Sequence, residues 1–281
     1  MISNGKKIRI SRIFNKTSNK TVIIPLDDIL LSGPEDGLYK VENKIEQIIA
    51  GEADAITGFY GLFLHHFDLL NKTSGILNVT ASTNRSTHTR KVLVGNVEQA
   101  VKLGMDAVAV HVNISSKYES EMLKILADVS RECERYGMPL LAHMYPRTEG
   151  EDGFDNNYYE LRDKDQEQYT KLVRHAVRVA VELGADVIKA PYTGSIDSFK
   201  SVVQSASLVP IVMAGGPKVS SQEILQKTAD AIKAGAKGAY IGRNAFNRSQ
   251  GKEIVQALLK VVHEDKSVEE VLELFNLSSD V

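Results

Sequence analysis

The chain has 281 residues, of which 43% are hydrophobic and 25% charged, and its formal net charge at pH 7 is -2. This length suits one α/β barrel of roughly 250 residues, and the near-neutral charge argues against nucleic acid as the main partner. The single cysteine, Cys133, excludes a disulfide within the chain. The polar, basic stretch from Met1 to Arg12 lacks the apolar run of a secretory signal, and no apolar run approaches the roughly 20 residues of a membrane span. We therefore expect a cytoplasmic protein that does not associate with membranes.

Short apolar segments recur along the chain, and several follow a glycine that would close a helix. Strands buried in a parallel sheet have continuous rather than alternating apolar residues, and these segments have that pattern. Eight strands are predicted: Thr21–Leu26, Asp54–Gly58, Gly75–Ala81, Ala107–Asn113, Pro139–Tyr145, Asp186–Ala190, Pro210–Ala214 and Gly238–Gly242.

Segments with helical periodicity lie between these strands. The clearest are Ser116–Tyr136, Asp165–Leu183, Ser221–Ala234 and Gly251–His263. Eight repeats of strand and helix predict a (β/α)8 TIM barrel. The alternative is an open doubly wound sheet, which usually has fewer strands and a phosphate loop near the first one, whereas the Gly-rich turns here come late. We expect one domain over residues 1–281, with a short extra helix near 267–277 that either caps the barrel or meets a neighbouring subunit.

Two loops are long and lie after strands, on the face where barrels carry their active sites. Asn84 to Gly95 is polar and basic, and Arg147 to Lys164 is acidic and contains Tyr158 and Tyr159. Both are lid candidates, although most of their residues suit a solvated surface loop.

Polar residues at the carboxyl ends of barrel strands point at the active site. This filter selects residues of five strands: Asp27, Asp28, Ser82, Thr83, His111, Asn113, His143, Tyr145, Arg147, Lys189 and Tyr192.

Lys189 stands inside the apolar strand Val187–Tyr192. Burial favours the neutral amine by lowering its pKa, and a neutral amine is a nucleophile towards carbonyls. The alternative is a lysine that extends from the strand end to a carboxylate partner. Position alone does not decide between these two interpretations.

Two neighbours of Lys189 could assist such chemistry. Tyr145 ends the adjacent strand, where its hydroxyl could act as general acid or base; alternatively its ring belongs to the core. Asp27 could stabilise an iminium cation or move a proton; alternatively it caps a helix or loop. Asp28, beside it, is either a carboxylate that turns away or a substrate-binding residue. His111 and His143 are interpreted as hydrogen-bonded residues inside the barrel, because no spacing resembles a metal site.

Two Gly-rich loops predict a phosphate site. Met213–Lys218 follows the seventh strand and Ile241–Asn244 the eighth, which are the positions of the standard barrel phosphate site. Gly215, Gly216 and Gly242 would let backbone N–H groups approach the anion, and Arg243 could bind it bidentately. The alternative is that these glycines only turn the chain.

These residues, in this order, resemble the archaeal-type class I (Schiff-base) aldolase family, which includes fructose-bisphosphate aldolases and 2-amino-3,7-dideoxy-D-threo-hept-6-ulosonate synthases. The resemblance extends from about Ile23 to Asn247. It rests on Ile24-Pro25-Leu26-Asp27, Ser32-Gly33-Pro34, Lys91-Val92-Leu93-Val94-Gly95, His111-Val112-Asn113-Ile114, Met144-Tyr145-Pro146-Arg147, Ile188-Lys189-Ala190-Pro191-Tyr192-Thr193-Gly194, Ala214-Gly215-Gly216-Pro217-Lys218 and Gly242-Arg243-Asn244.

The resemblance implies that Lys189 forms a Schiff base, that Tyr145 transfers a proton and that Asp27 assists it. It also implies donor-phosphate binding by the two Gly-rich loops, no cofactor, and a homo-oligomer, often a pentamer or decamer. The chain departs from the family at Asp27-Asp28-Ile29, where the family usually has Asp-His-Gly; in the long acidic segment from Glu149 to Gln166; and at Asn247, where the family has Gln. The first departure alters the floor of the predicted pocket, where the acceptor substrate would bind.

The predicted function is therefore a lyase that forms or cleaves a C–C bond of a phosphorylated ketose, either fructose bisphosphate or a sugar derived from dihydroxyacetone phosphate. Neither a cofactor nor a metal is expected. One alternative is a transaldolase-like heptulosonate synthase that acts on aspartate semialdehyde. A second alternative is a non-catalytic regulatory barrel that binds sugar phosphates, although the joint presence of Lys189, Tyr145 and Asp27 argues against it.

Overall fold

The computed structural model describes residues 3–33, 40–150 and 157–277. Eight parallel strands form a closed barrel in the order β1-β10-β9-β8-β7-β6-β3-β2, so the predicted (β/α)8 barrel is confirmed. Its strands are β1 (Thr21–Pro25), β2 (Ala55–Gly58), β3 (Ser74–Asn78), β6 (Ala107–Ile114), β7 (Leu140–Pro146), β8 (Val187–Pro191), β9 (Ile211–Ala214) and β10 (Gly238–Tyr240).

The third predicted strand, Gly75–Ala81, is wrong as a single element. β3 ends at Asn78, and the following residues form β4 (Thr80–Ala81), which pairs antiparallel with β5 (Val92–Leu93). The chain leaves the barrel here because the Val79 carbonyl accepts the Val94 N–H at 2.8 Å. The predicted loop from Asn84 to Gly95 is therefore anchored beside the barrel mouth.

Helices surround the barrel as the periodicity predicts. Within the described residues they are α1 (Asn4–Ile13), α2 (Asp28–Ser32), α3 (Val41–Ala50), α4 (Tyr60–His65), α5 (Phe67–Leu70), α6 (Val97–Lys102), α7 (Glu119–Tyr136), α8 (Asn157–Lys164), α9 (Gln166–Glu182), α10 (Ile196–Ser205), α11 (Ser221–Lys233), α12 (Arg243–Phe246), α13 (Gly251–Glu264) and α14 (Val268–Leu274). The last begins with a capping box between Ser267 and Glu270 and contacts α11 and α13. None of the described helices has both the length and the apolar character to cross a membrane.

The barrel contains two apolar clusters, one between strands and helices and one inside the lumen. The lumen cluster joins alternate residues of the strands, such as Ile23, Leu141 and Tyr240, to Ile13 and Phe14 of α1. Helix α1 therefore closes the amino-terminal end of the barrel. In the part of the chain that the structure describes, the lumen opens at the opposite end, where the strands terminate.

The same alternation places polar residues above the apolar lumen. His111, His143 and Lys189 are partners in register across β6, β7 and β8. Residues paired in register on parallel strands point to the same face, so the three side chains form one layer. Two residues further on, Asn113 and Tyr145 are paired in the next layer.

Candidate active site

A cavity of about 170 Å³ opens at the carboxyl ends of the strands. It brings together residues of all eight barrel strands or the segments that follow them. All nine predicted site residues line it: Asp27, Asp28, His111, Tyr145, Lys189, Gly215, Gly216, Gly242 and Arg243.

Lys189 lies half-buried at the base of this cavity. Burial lowers the pKa of its amine to about 8; Asp27 and Asp28 oppose this shift, whereas two nearby arginines reinforce it. Among the described residues no carboxylate lies within salt-bridge distance of its Nζ, so the structure does not support the alternative of a lysine extended to an acidic partner. About half of the amine is neutral near pH 8, and the neutral form can attack a carbonyl.

Asp27 and Asp28 both face the cavity, at the junction of β1 and α2. Asp27 precedes α2 but makes no capping bond; instead its Oδ2 accepts from Asn78 Nδ2 at 3.0 Å. Burial raises the pKa of Asp27, and Asp28 adds to this while Lys189 opposes it. The expectation that Asp28 turns away is wrong, because the chain enters helix α2 at this residue and directs the carboxylate to 3.7 Å from Arg243 Nε.

Tyr145 combines a packed ring with a place at the cavity wall. The ring is 8% exposed, stacks on His111 at 5.0 Å between centroids and meets Tyr158 edge-on. Burial, reinforced by Tyr158, raises the pKa of its hydroxyl well above the ordinary value. The Tyr145 hydroxyl is therefore protonated at neutral pH.

His111 and His143 are neutral inside the barrel, because burial lowers the pKa of both rings and nearby cations lower it further. Asn113 fixes the tautomer of His111: its Nδ2 donates to the Thr89 carbonyl, so its Oδ1 accepts from His111 Nε2 at 2.9 Å. Within the described part of the chain no cluster of acidic, His or Cys residues could hold a metal ion.

The two Gly-rich loops meet at the cavity rim and are joined by Asn244, which is fully buried. Its Nδ2 donates to the carbonyls of Gly215 and Pro217, and its Oδ1 accepts the Val219 N–H at 2.8 Å. Gly216 has a φ of +70°, and a Cβ there would lie 3.1 Å from the hydroxyl of Tyr159. A side chain at Gly216 would therefore be strained and would crowd Tyr159.

A second basic group lies on the opposite wall, and of its members only Arg147 was among the strand-end residues that the sequence selected. It consists of Lys91 and Arg147, which are 4% and 6% exposed, and His88 between them. Arg147 Nη1 lies 2.6 Å from His88 Nε2, and Lys91 Nζ donates to Ser82 Oγ at 2.6 Å. Burial and the flanking cations lower the pKa of His88 to about 2, so the ring is neutral and both positive charges remain on Lys91 and Arg147.

The sequence contained partial signals for these residues. Arg147 follows the fifth strand and Lys91 belongs to a motif of the resemblance, but His88 lies in a loop that reads as solvated surface. Tyr158 was assigned to another such loop, yet it is 3% exposed and lines the cavity. Tyr240 was missed because it looks like an ordinary strand residue, although it precedes Gly242 by two positions and so shares its face.

Three polar residues of the strand-end filter are not part of the cavity lining: Thr83, which is exposed, Tyr192 and Asn113. Tyr192 packs against Phe199 of α10, and its hydroxyl contacts Asp230 at 3.5 Å outside the barrel. Asn113 is fully buried behind His111 rather than at the cavity surface. Strand alternation explains Tyr192, because it is an odd number of residues from Lys189 and faces the helices.

Comparisons with known proteins agree with this geometry. The family model of the DeoC/LacD family aldolases matches residues 21–248. The chain is 38% identical over 271 residues to 2-amino-3,7-dideoxy-D-threo-hept-6-ulosonate synthase 1 of Archaeoglobus fulgidus, covering 96% of this chain and 95% of the relative. It is 34% identical to the 2-amino-4,5-dihydroxy-6-oxo-7-(phosphonooxy)heptanoate synthase of Streptomyces griseus, covering 92% and 90%.

A solved structure of an archaeal fructose-1,6-bisphosphate aldolase, whose catalytic Lys is covalently bound to the carbinolamine intermediate of the substrate, superposes with a TM-score of 0.79. Its sequence is 27% identical, and the match covers 92% of this chain and all of the other. The predicted resemblance and the predicted class I aldolase activity are thereby confirmed. The chain belongs to the DeoC/LacD family of aldolases.

Proposed function

We propose that Lys189 is the Schiff-base lysine and that the substrate it binds is a ketose phosphate. The observation that carries this proposal is the position of a half-buried amine with a pKa of about 8 in the cavity whose rim holds two Gly-rich loops and Arg243. The neutral amine attacks the ketone, and the loops with Arg243 bind the phosphate.

The remaining residues complete a balanced sequence of steps. Lys189 Nζ adds to the ketone carbon to give a carbinolamine, which loses water and becomes an iminium. Asp27 gives a proton to the departing water and, as the carboxylate, takes a proton back from the donor carbon next to the iminium; the resulting enamine attacks the aldehyde carbon of the acceptor. Tyr145 gives its proton to the new alkoxide, Asp27 stabilises the iminium charge, and water finally releases the product from Lys189.

We propose dihydroxyacetone phosphate as donor and an α-amino acid semialdehyde, such as aspartate semialdehyde, as acceptor. The two curated relatives are named for products that contain an amino group on a seven-carbon chain. The basic group of Lys91 and Arg147 supports this, because it offers charge-assisted hydrogen bonds to a carboxylate across the cavity from Arg243. Fructose bisphosphate is the second candidate, since the same group could accept a second phosphate.

Reductive trapping tests the proposal. Borohydride reduction with dihydroxyacetone phosphate should leave one adduct on Lys189 in the wild type and none in Lys189→Ala. The exposed Lys237, at the far end of the barrel, provides the control Lys237→Ala, which should trap as the wild type does. An adduct that persists in Lys189→Ala would assign the chemistry to another lysine. Complete absence of adducts in the wild type would favour the non-catalytic sugar-phosphate-binding barrel.

We also propose a cytoplasmic homo-oligomer. The support for self-association is a run of three exposed aliphatic residues, Val92, Leu93 and Val94, each between 46% and 49% exposed on β5 and the residue after it. A contiguous apolar surface of this kind is typical of a protein interface. Light scattering on the purified protein should give a mass that is a multiple of the monomer's 30.9 kDa.

A further inference from the structure

The reactive amine rests on an aromatic ring. Lys189 Nζ lies 3.8 Å from the centroid of the Tyr240 ring, which is the closest cation–π distance in the described part of the chain. Tyr240 is 1% exposed and belongs to the apolar cluster of the lumen. The ring face is therefore the boundary between the apolar lumen and the reactive cavity.

Neighbouring residues hold the ring in this orientation. The ring of His143 on β7 meets the Tyr240 ring edge-on, with 4.9 Å between centroids and an interplanar angle of 75°. The Tyr240 hydroxyl is buried near Thr57 and makes no hydrogen bond of normal geometry to a described residue. The hydroxyl is therefore not what positions the side chain, and the face of the ring is the part that contacts the amine.

We propose that the Tyr240 ring is a cation–π platform that stabilises the positive charge on Lys189 Nζ, both in the ammonium form and in the iminium that forms from it. This inference rests on the proposed role of Lys189. The negative potential of a ring face attracts a cation, and the attraction is stronger where the ring and the cation are partly shielded from water, as they are here through the burial of Tyr240. The iminium is the electron sink of the reaction, so a platform that favours it accelerates formation of the enamine.

The charged and titratable groups around Lys189 determine how the platform can be detected. Asp27 and Asp28 face the amine from β1 and α2, His143 from β7, and Arg147 and Arg243 from the cavity walls. Tyr240 reaches it from β10. In a variant that lacks the Tyr240 ring and stays dry, the ammonium group loses an attraction and the pKa of Lys189 falls. If water fills the space of the ring, the ammonium group is solvated and the pKa rises towards its ordinary value near 10.5.

The test compares Tyr240→Phe with Tyr240→Leu, because Phe keeps the ring face and Leu removes it. The reading is the rate at which the enzyme exchanges the donor-carbon proton of dihydroxyacetone phosphate with deuterated water, followed by NMR without acceptor. The rate is measured as a function of pH. At low substrate concentration its decrease towards acid pH, the acid limb, reports the protonation of free Lys189. At saturation the rate follows formation of the enamine.

In Tyr240→Leu we expect the acid limb to move down by about one pH unit and the saturated rate to fall roughly 3- to 30-fold, as for a lost desolvated cation–π contact. In Tyr240→Phe we expect the acid limb at nearly the same pH as in the wild type. The rate of this variant at saturating substrate should be at least about a third of the wild-type rate. Thermal unfolding checks the fold, and Tyr240→Met replaces Tyr240→Leu if the latter does not fold.

Three results would overturn the inference: an unmoved limb in Tyr240→Leu, a limb that moves up, or equal damage in both variants, which would assign the effect to the hydroxyl. Failure of the proposed function gives a different result, because the wild type itself would then neither exchange the proton nor trap the donor on Lys189.

Discussion

At the scale of single residues, burial determines the protonation states of the proposed nucleophile, Lys189, and the proposed proton donor, Tyr145. Burial acts on both Lys189 and Tyr145, yet it has opposite consequences because the amine is charged when protonated and the phenol when deprotonated. Lys189 is thus shifted towards its nucleophilic form, and Tyr145 is held in its proton-donating form. One apolar environment supplies both partners of the reaction.

Tyr145→Phe should remove the proton donor and leave the packing of the ring on His111 intact. We expect turnover to fall roughly 10²- to 10⁴-fold, the usual range for loss of a general acid, while the adduct on Lys189 still forms and accumulates. Intact-protein mass spectrometry after reduction measures the adduct. Tyr192→Phe, a tyrosine outside the barrel, is the matched control, and turnover equal to the wild type in Tyr145→Phe would contradict the assigned role.

Asp28 and Arg243 oppose each other at the rim, with 3.7 Å between Asp28 Oδ2 and Arg243 Nε. Arg243→Ala should weaken binding of dihydroxyacetone phosphate by about 1.5–3 kcal/mol, the scale of a lost hydrogen bond to a charged group.

Asp28→His should instead change the preference among acceptors, because it removes a like charge from the path of an anionic aldehyde. Calorimetry and competition between acceptors measure the two effects; equal binding of phosphorylated and unphosphorylated ligands by the wild type would contradict the phosphate site.

At the scale of elements, the side chain of Asn244 links the loops that follow β9 and β10. Asn244→Ala breaks three hydrogen bonds between these loops, so we expect the free energy of unfolding to fall by about 1–3 kcal/mol and the Michaelis constant for the phosphorylated donor to rise. The control is Asn247→Ala, three residues further on at the end of α12. If Asn247→Ala lowers the free energy of unfolding and raises the Michaelis constant as much as Asn244→Ala does, the link through Asn244 has no special role.

The sequence predicted the strands well, because the same apolar pattern recurs eight times. It predicted the structure less well where hydrogen bonding departs from that pattern. Eight apolar segments were sufficient for the barrel, and strand ends were sufficient to collect Lys189, Tyr145 and Asp27 at one cavity. The break after Asn78 was not predictable, because the apolar run continues through it while the hydrogen bonds pass to β5. His88 and Tyr158 were missed for a related reason: their burial depends on how two loops fold over the mouth, which no local periodicity encodes.

At the scale of the whole molecule, a buried ionic group attaches α1 to the barrel. Lys6, 1% exposed, bonds with Glu134 of α7 and Asp186 before β8, and Asp186 also accepts the Leu140 N–H at 2.8 Å. Burial acts to lower the pKa of Lys6, but the two carboxylates outweigh it and the pKa is raised. The pairing of Lys6 therefore stabilises the fold at neutral pH and is lost only as pH rises through that raised value.

Lys6→Met keeps most of the side-chain volume and leaves Asp186 without its cation. We expect the free energy of unfolding at pH 7 to fall by about 3 kcal/mol, the scale for breaking a buried ion pair. Burial raises the pKa of Asp186, so lowering the pH protonates it in the folded variant and the loss relative to the wild type should shrink. Denaturant unfolding at pH 7 and pH 4.5 measures this, with the exposed Lys7→Met as control; a loss that grows at the lower pH would contradict it.

The closure of one barrel end by α1 also has a kinetic consequence. In the described part of the chain, Lys189 lies at the base of a cavity that opens at the carboxyl ends of the strands, so we expect the ketose phosphate and the aldehyde to enter by the same route. An aldehyde that arrives first would stand between the ketone and the amine. Steady-state kinetics should therefore show a compulsory order, with the phosphorylated donor binding first and the aldehyde second, and high aldehyde concentrations should inhibit the enzyme by forming a dead-end complex.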